Sequence, residues 1–212
     1  MAKRADTNLS DTTSDNEAPD PNIKDLDVKA RILEAASSLF LEGGLEALSV
    51  RSIAKHAKIS TFGIYSHFQG KTGILDALYE EGFAYVVEAL DVEVVSDDPK
   101  VIVFTACRNY LGLANARAAH YRLIFGEAGA QYSPSPEAKN AGRIAFGKLI
   151  ELTSTLLPAT ASEARKRQNA LEIWAIVHGF VCFQNHAVTQ MIPNVDWKIA
   201  ALSAVERHIK SL

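Results

Sequence analysis

The sequence SVRSIAKHAKISTFGIYSHF, residues 49–68, contains two short helical segments joined by the tight turn HAKI. The hydroxyl of Ser49 suits the N-cap of the first segment, and the hydroxyl of Ser60 suits the N-cap of the second, because each can accept a hydrogen bond from the first helical turn. Two closely packed helices also need a small residue such as Ala54 and an apolar residue such as Ile59 at the entry to the second helix. The stretch therefore predicts a helix-turn-helix.

The outer face of the second segment is the part of this motif that would meet a partner. Ile64 is predicted to hold the inner face against the rest of the domain. A helix of this kind lies in the major groove of DNA, with its N-terminal residues nearest the base edges. Its backbone N–H groups can also point at a phosphate. The residues left facing outward are Thr61, Phe62, Gly63 and Ser66.

Aromatic side chains crowd the end of the same segment. Tyr65 and His67 are expected at the groove wall, where a phenol or an imidazole donates to phosphate oxygens without reading the base sequence. Phe68 is expected to pack in the core. From the pattern alone, a helical hairpin within a core, with Tyr65 and Phe68 both buried, is an equally compatible interpretation.

Helical periodicity extends on both sides of the motif. Apolar residues recur at three- and four-residue steps from Val28 to Phe40, and Gly43 and Gly44 supply the stop. A fourth helix is predicted over residues 71–90. No segment alternates with a period of two, so the chain is predicted to be all-α. Further helices are predicted near residues 100–117, 119–126, 135–156, 162–189 and 195–210.

The charge of the chain is unevenly distributed. The 212 residues carry a formal net charge of -3. Residues 24–71 contain seven Lys or Arg and five Asp or Glu, which gives +2 and leaves -5 for the rest of the chain. This division favours a basic contact module on an acidic body. Because the sequence has no apolar run long enough to span a membrane and no apolar signal core, a cytoplasmic protein without membrane contact is expected.

The stretch KARILEAASSLFLEGGLEALSVRSIAKHAKISTFGIYSHFQGKTGILDAL, residues 29–78, resembles the N-terminal domain of TetR-family transcriptional repressors. The matching features are the Ala-rich first helix that ends in LF, the glycine pair, LSVRSIA, IS, IYSHF and the lysine before GIL. The resemblance implies a two-fold symmetric dimer whose third helices enter successive major grooves of a near-palindromic operator. No cofactor is expected.

The resemblance also carries residue roles onto this chain. Tyr65, His67 and Lys71 match positions that usually hold phosphates, and the outward residues at the start of the third helix match positions near bases. The residues expected to contact DNA are Ser49, Arg51, Ser60, Thr61, Phe62, Gly63, Tyr65, Ser66, His67 and Lys71.

Three positions depart from the family pattern. Lys58 stands where the turn usually has glycine, so a non-glycine residue is expected in a left-handed conformation, at a cost of about 1 kcal/mol. Phe62 is unusually large for its place and is expected either to press on thymine methyl groups or to tuck back into the domain. Gly70 replaces the more usual serine cap of the fourth helix, which is a tolerable substitution.

The chain is expected to divide into three parts. Residues 1–22 are polar, acidic and interrupted by proline, which predicts a disordered tail. Residues 23–72 form the predicted helix-turn-helix domain. Residues 73–212 form the helical domain that, by the resemblance, binds a small-molecule effector and forms a homodimer. The last two long helices are the expected dimer contact.

Two stretches of this last part, residues 114–127 and 171–181, resemble the C-terminal domain of the TetR subgroup named after a Trp-His-Gly signature. Trp174 and His178 lie four residues apart on one helical face, where an indole N–H and an imidazole that both need partners would suit a pocket wall. Packing of each side chain in the core is the competing interpretation. The residues expected to line an effector pocket are Phe104, Tyr110, Tyr121, Phe146, Trp174 and His178.

A stripe of metal-type side chains on the same helix is not expected to bind a metal. His178, Cys182 and His186 step by four residues, so the two histidines stand about 12 Å apart along the axis at 1.5 Å per residue. Three ligands cannot reach one ion at that separation, and no matching cysteine cluster follows. The two cysteines of the chain are expected to be reduced thiols.

The sequence thus favours a ligand-responsive DNA-binding regulator, most simply a repressor. A helical ligand carrier without DNA regulation is the alternative. An enzyme is not expected, because the sequence shows no nucleophile–base–acid set, no phosphate loop and no metal triad.

Overall fold

The computed structural model describes residues 21–93, 96–126, 132–184 and 186–212, and within these ranges it is built of α-helices and short 3-10 turns without a strand. The all-α prediction is confirmed. The α-helices are α1 (Pro21–Gly43), α2 (Val50–Ala57), α3 (Thr61–Phe68), α4 (Lys71–Leu90), α5 (Pro99–Ala116), α6 (Ala118–Phe125), α7 (Pro136–Ser154), α8 (Glu163–Gln184) and α9 (Trp197–Lys210).

The first three helices pack around one apolar core. Ile32 and Phe40 of α1 are buried there against Ile53 of α2 and Ile64 of α3. Helix α1 begins at Pro21, inside the range predicted as tail, and residues 1–20 lie outside the described residues. Each of these three helices is therefore held by an apolar stripe that the sequence pattern identified.

Helix α4 belongs to both halves of the molecule. Its first turns place Ile74 and Leu78 in the core of α1–α3. Its last turns place Val86 and Leu90 in a second core, together with side chains of α5, α7, α8 and α9. The predicted domain boundary at residues 72 and 73 thus falls inside one continuous helix, so the two domains share a rigid element.

Helices α5 to α9 form the C-terminal bundle around this second core. Val103 of α5, Ile173 and Val181 of α8 and Val205 of α9 are all almost completely buried. Helix α8 ends at Gln184 rather than at the predicted residue 189. Beyond it the backbone changes to i→i−3 hydrogen bonds and forms a 3-10 turn at Ala187–Gln190.

Candidate DNA-binding surface and ligand cavity

The helix-turn-helix is built by local hydrogen bonds at the ends of α2 and α3. Ser49 caps α2: its hydroxyl accepts from the backbone of Ser52, and the Ser52 hydroxyl accepts from the backbone of Ser49. Ser60 caps α3 by accepting from the backbone N–H of Gly63 at 3.1 Å. Lys58 ends α2 with φ 56° and ψ 45°, which confirms the expected left-handed turn. The angle between the two helices is set by these contacts together with the core.

Arg31 is a support of this turn that the sequence did not reveal. Its guanidinium donates to the backbone carbonyl of Ala57 at 2.5 Å and lies 3.5 Å from that of Lys58. These carbonyls belong to the last turn of α2, which lacks intrahelical partners. A cation at a helix C-terminus is also favoured by the helix dipole. Arg31 therefore ties α1 to the turn that aims α3.

One face of α3 points to solvent. The phenyl ring of Phe62 is 80% exposed, so it does not tuck back into the domain, and Tyr65 is 57% exposed. Thr61 and Ser66 are exposed beside them, whereas Ile64 is completely buried. The buried helical hairpin considered above is therefore excluded for Tyr65. The exposed face combines an aromatic ring, a phenol and two hydroxyls.

Two of the residues expected to contact phosphate have partners within the protein. The Nδ1 atom of His67 lies 3.0 Å from a carboxylate oxygen of Asp25 on α1. The Nζ atom of Lys71 donates to the backbone carbonyl of Leu45 at 2.8 Å. Arg51, by contrast, is exposed on the first turn of α2. Phosphate binding by His67 or Lys71 would have to share or replace these internal contacts.

A cavity of about 350 Å³ lies between α4, α5, α7 and α8 in the C-terminal bundle. Three of the expected effector-binding residues line it, namely Tyr110, Phe146 and Trp174. Most other lining side chains are aliphatic or aromatic, which is usual for a small-molecule site. They are Phe83, Val86 and Leu90 of α4, Ala106 of α5, Phe125 of α6, Ala145 and Leu149 of α7, and Ile173 and Val177 of α8.

The polar side chains behind this cavity are hydrogen-bonded to one another. The indole N–H of Trp174 donates to the Tyr110 hydroxyl at 3.1 Å, and the Tyr110 and Tyr121 hydroxyls lie 3.1 Å apart. The Tyr121 hydroxyl lies 2.7 Å from Nδ1 of His178. Burial lowers the pKa of His178 and raises the pKa of Tyr110 to about 12. Burial raises the pKa of Tyr121 as well, so the imidazole and both phenols are favoured in their neutral forms and the network holds no charge.

The other three expected effector-binding residues do not line the cavity. Tyr121 and His178 stand behind Tyr110 and complete its hydrogen bonds. Phe104 lies on another side of α5, where it lines a surface groove with residues of α9. The reason is geometric. Helical periodicity shows which residues share one face of a helix, but it does not show which face lines a cavity that several helices enclose.

Sequence reasoning missed several lining residues. Phe125 packs between Tyr121 and Trp174, with ring centroids 4.9 and 5.7 Å away. Lys139 and Arg143 on α7 also line the cavity. Their spacing with Phe146 places all three residues on one face of α7. This spacing is visible in the sequence and could have predicted that Lys139 and Arg143 lie on the same side of the helix as Phe146.

Both cysteines of the chain are free thiols, and one of them, Cys182, belongs to the stripe of metal-type side chains. Cys107 is buried, and burial raises its pKa to about 12. Cys182 is exposed, with its sulfur 3.5 Å from Nε2 of His178. Within the part of the chain that the structure describes, no group of three or more His, Cys, Asp or Glu is placed to hold a metal ion.

Two side-chain contacts join α4 to the elements beside the cavity. The hydroxyl of Tyr132 donates to a carboxylate oxygen of Asp76 at 2.5 Å, and the backbone N–H of Ser135 approaches the same oxygen at 3.3 Å. His120 of α6 lies 3.0 Å from the carboxylate of Glu81. These contacts connect the helix that follows the helix-turn-helix to the start of α7 and to α6.

Helices α8 and α9 leave apolar side chains in solvent. Phe183 is 52% exposed and Ile199 is 62% exposed, and each lies on one of these two helices. Met191 and Ile192, between them, are exposed as well. Large exposed apolar patches are one feature of surfaces that contact another protein. None of the helices in the described ranges is long and apolar enough to cross a membrane.

Comparisons with protein families match most of the chain. The model of the bacterial regulatory proteins of the tetR family matches residues 32–78. A second model, described as the tetracyclin repressor-like C-terminal domain, matches residues 103–204. The Trp-His-Gly subgroup is not confirmed by either match. A search of curated proteins by sequence found no match.

Solved structures share the whole fold at low sequence identity. A Rhodococcus sp. RHA1 protein of unknown function has a TM-score of 0.73 at 22% identity, covering 87% of this chain and 95% of its own. The TetR-family regulator PfmR from Thermus thermophilus has a TM-score of 0.62 at 17% identity, covering 85% and 97%. NalD, the secondary repressor of the MexAB-OprM multidrug efflux pump in Pseudomonas aeruginosa, has a TM-score of 0.62 at 19% identity, covering 89% and 96%.

Proposed function

The chain belongs to the tetR family of bacterial regulatory proteins, and we propose that it is a ligand-responsive repressor. In this proposal a homodimer binds a near-palindromic operator, and a small molecule in the C-terminal cavity releases it. The observation that carries the proposal is the solvent-exposed face of α3. Thr61, Phe62, Tyr65 and Ser66 are exposed on a helix whose direction is set by caps and core.

The chemistry of this face suits the major groove. Phe62 offers an apolar ring to thymine methyl groups, and the hydroxyls of Thr61 and Ser66 can bond to base edges. Tyr65 and Arg51 are exposed beside it and supply donors to phosphate oxygens. These contacts separate into base-reading and phosphate-binding sets, which a mutational series can measure independently.

Homodimer formation is supported by the apolar surface of α8 and α9. Phe183 and Ile199 expose more than half of their surface, which is costly for a monomer in water. In a homodimer formed through this surface, the two copies of α3 would be related by the two-fold axis. Two such helices read half-sites one helical turn apart, or a multiple of that spacing.

Release by a ligand is supported by the position of α4. Phe83, Val86 and Leu90 of this helix line the cavity, while Ile74 and Leu78 of the same helix lie in the core that holds α3. A ligand that fits the cavity better in one position of α4 would favour that position. It weakens the operator complex only if that position is the one that does not fit DNA.

The test is a salt-dependent gel shift and footprint on the DNA upstream of the gene that encodes the chain. We expect a footprint with two-fold symmetry and an affinity that falls as salt rises. Arg51→Ala should weaken binding, and the matched control is Arg108→Ala, which removes an exposed arginine on α5 far along the chain from α3. The absence of a footprint at low salt, or equal weakening by both variants, would contradict the proposal.

A ligand carrier without DNA regulation is the second candidate. It is favoured by one observation: His67 and Lys71 are both engaged by groups of the protein itself. The same gel shift separates the two functions, because a carrier would bind ligand in the cavity and leave the mobility of the DNA unchanged.

A further inference from the structure

The interior of the cavity favours an apolar ligand body. The polar groups of Trp174 and Tyr110 in its wall are already bonded to each other and to the network behind them. A polar ligand atom placed there would lose its hydrogen bonds to water and gain none, which is unfavourable. The thiol of Cys107 and the hydroxyl of Tyr79 belong to residues that also line the cavity, and burial raises the pKa of both, so each is neutral.

Among the described residues that line the cavity, the charged side chains are Lys139 and Arg143, both on α7. Lys139 and Arg143 are one helical turn apart, both are exposed to solvent, and both line the cavity. Arg143 donates to the side-chain oxygen of Asn140 at 3.1 Å, which leaves its charge uncompensated. Among the described residues neither cation forms an ion pair, and no Asp or Glu lines the cavity. An apolar space bordered by two unpaired cations selects for a negative group at one end of its ligand.

The volume of the cavity limits the size of that ligand. At about 30 Å³ for each water-sized unit, 350 Å³ holds on the order of a dozen non-hydrogen atoms. This is the size of a medium-chain alkyl chain or of a substituted aromatic ring. An inorganic anion alone would leave most of this volume empty.

We propose that the cavity takes an amphipathic organic anion, with an alkyl or aryl body among the rings of α4, α6 and α8 and a carboxylate at Lys139 and Arg143. The planar guanidinium of Arg143 suits a carboxylate, with which it can form two parallel hydrogen bonds. The ammonium of Lys139 adds a second charge one turn away. This assignment rests on the proposed function of the cavity as the effector site and specifies its chemistry.

The test measures binding of three matched probes to the full chain carrying Trp197→Phe, which leaves Trp174 in the cavity as the only indole. The probes are decanoate, decanol and decyltrimethylammonium, which share an alkyl chain and differ in charge. We expect decanoate to change the Trp174 emission with at least roughly tenfold higher affinity than decanol, a difference typical of one charge-assisted contact. Its affinity, but not that of decanol, should fall as salt rises, since the two cations are exposed.

The matched variant is Lys139→Gln combined with Arg143→Gln, which removes both charges and keeps polar side chains in place. It should remove the advantage of decanoate and leave the affinity of decanol unchanged. Equal binding of decanoate and decanol, tighter binding of the cation, or an unchanged preference in the variant would each overturn the assignment. In the first two cases the cavity remains a ligand site. If no probe binds, the assignment is overturned as well, and the footprint experiment decides separately whether the chain regulates DNA.

Discussion

Single backbone positions around α3 carry strong steric demands. Lys58 and Gln69 end α2 and α3 with φ 56° and 58°, a region in which a side chain is strained. Gly70, with φ 112°, follows directly and requires glycine. At Gly73, an added Cβ would stand 1.8 Å from the backbone oxygen of Phe68. These positions let α2, α3 and α4 follow one another with turns of only a few residues.

Gly73→Ala should therefore destabilise the protein. The new methyl group must displace backbone of α3, and overpacking of this kind costs about 1–3 kcal/mol or more in the free energy of unfolding. Urea denaturation followed by circular dichroism measures it. The control is Gly112→Ala in α5, where an added Cβ meets nothing within 4 Å. That variant should gain about 0.5–1 kcal/mol, and equal effects of the two would contradict the steric argument.

Lys58→Gly should stabilise the protein, in contrast to most glycine substitutions. Glycine removes the left-handed strain, worth about 1 kcal/mol, although it also adds freedom to the unfolded chain. Lys55→Gly, three residues earlier within α2, is the matched control and should lose about 1 kcal/mol. A midpoint of unfolding that falls for both variants would show that Lys58 is held there without strain.

At the scale of elements, α3 presents the face proposed to read DNA, and α4 connects the core that holds α3 to the cavity. Tyr65 stands exposed on the first, and Lys71 begins the second. Contacts from outside the motif also hold these helices: Arg31 supports the turn, Asp25 approaches His67, and Tyr132 reaches α4 at Asp76. Helix α3 is therefore positioned by residues distant in sequence.

Tyr65→Phe and Lys71→Ala should weaken DNA binding by similar factors on all sequences, because phosphate contacts carry no base information. Lys71→Ala should also lower the slope of log affinity against log salt by about one unit. Gel shifts at several salt concentrations, on the operator and on unrelated DNA, measure both. Unchanged affinity and slope in Lys71→Ala would mean that Lys71 hydrogen-bonds only to the Leu45 carbonyl. A loss of affinity in Tyr65→Phe that is restricted to the operator would assign Tyr65 to base reading.

Tyr132→Phe should reduce the effect of a cavity ligand on DNA affinity. The substitution removes the donor to Asp76 and leaves the packing of the ring in place, at a stability cost of about 1 kcal/mol. If the contact transmits motion of α7 to α4, the ratio of operator affinities with and without decanoate should move toward one. Thr105→Val in α5, whose hydroxyl donates to a carbonyl of its own helix, is the control. An unchanged ratio in Tyr132→Phe would assign the contact to stability alone.

At the scale of the whole molecule, the proposed function requires two copies of the chain. Helices α8 and α9 carry the exposed apolar side chains that would meet, and the cavity lies on the other side of α8, at Trp174. Operator reading, dimer contact and ligand binding thus fall on separate surfaces. In the proposed mechanism they would be coupled through α4 and α8, which are two of the long helices that line the cavity.

Ile199→Glu should convert the dimer to a monomer, because a charge placed in an apolar contact loses its hydration without a partner. Sedimentation over a range of protein concentrations measures the change, and operator affinity should fall with it. The matched control is Ile144→Glu, which replaces a similarly exposed isoleucine on a different helix, α7. Dissociation by both variants, or by neither, would place the contact elsewhere.

The sequence by itself determined the helices, their caps and the family, because these depend on neighbours within a few residues. Ser49, Ser60 and the turn at Lys58 are local signals, and α2 and α3 begin where those signals predicted. Only the tertiary structure decided what each face meets. His67 contacts Asp25, Lys71 contacts Leu45, and Phe104 lies away from a cavity that Phe125 lines. Such contacts join residues far apart in the chain, so they depend on how the helices pack against one another. A periodic pattern shows which residues share one face of a helix, but it does not show which other helix that face contacts.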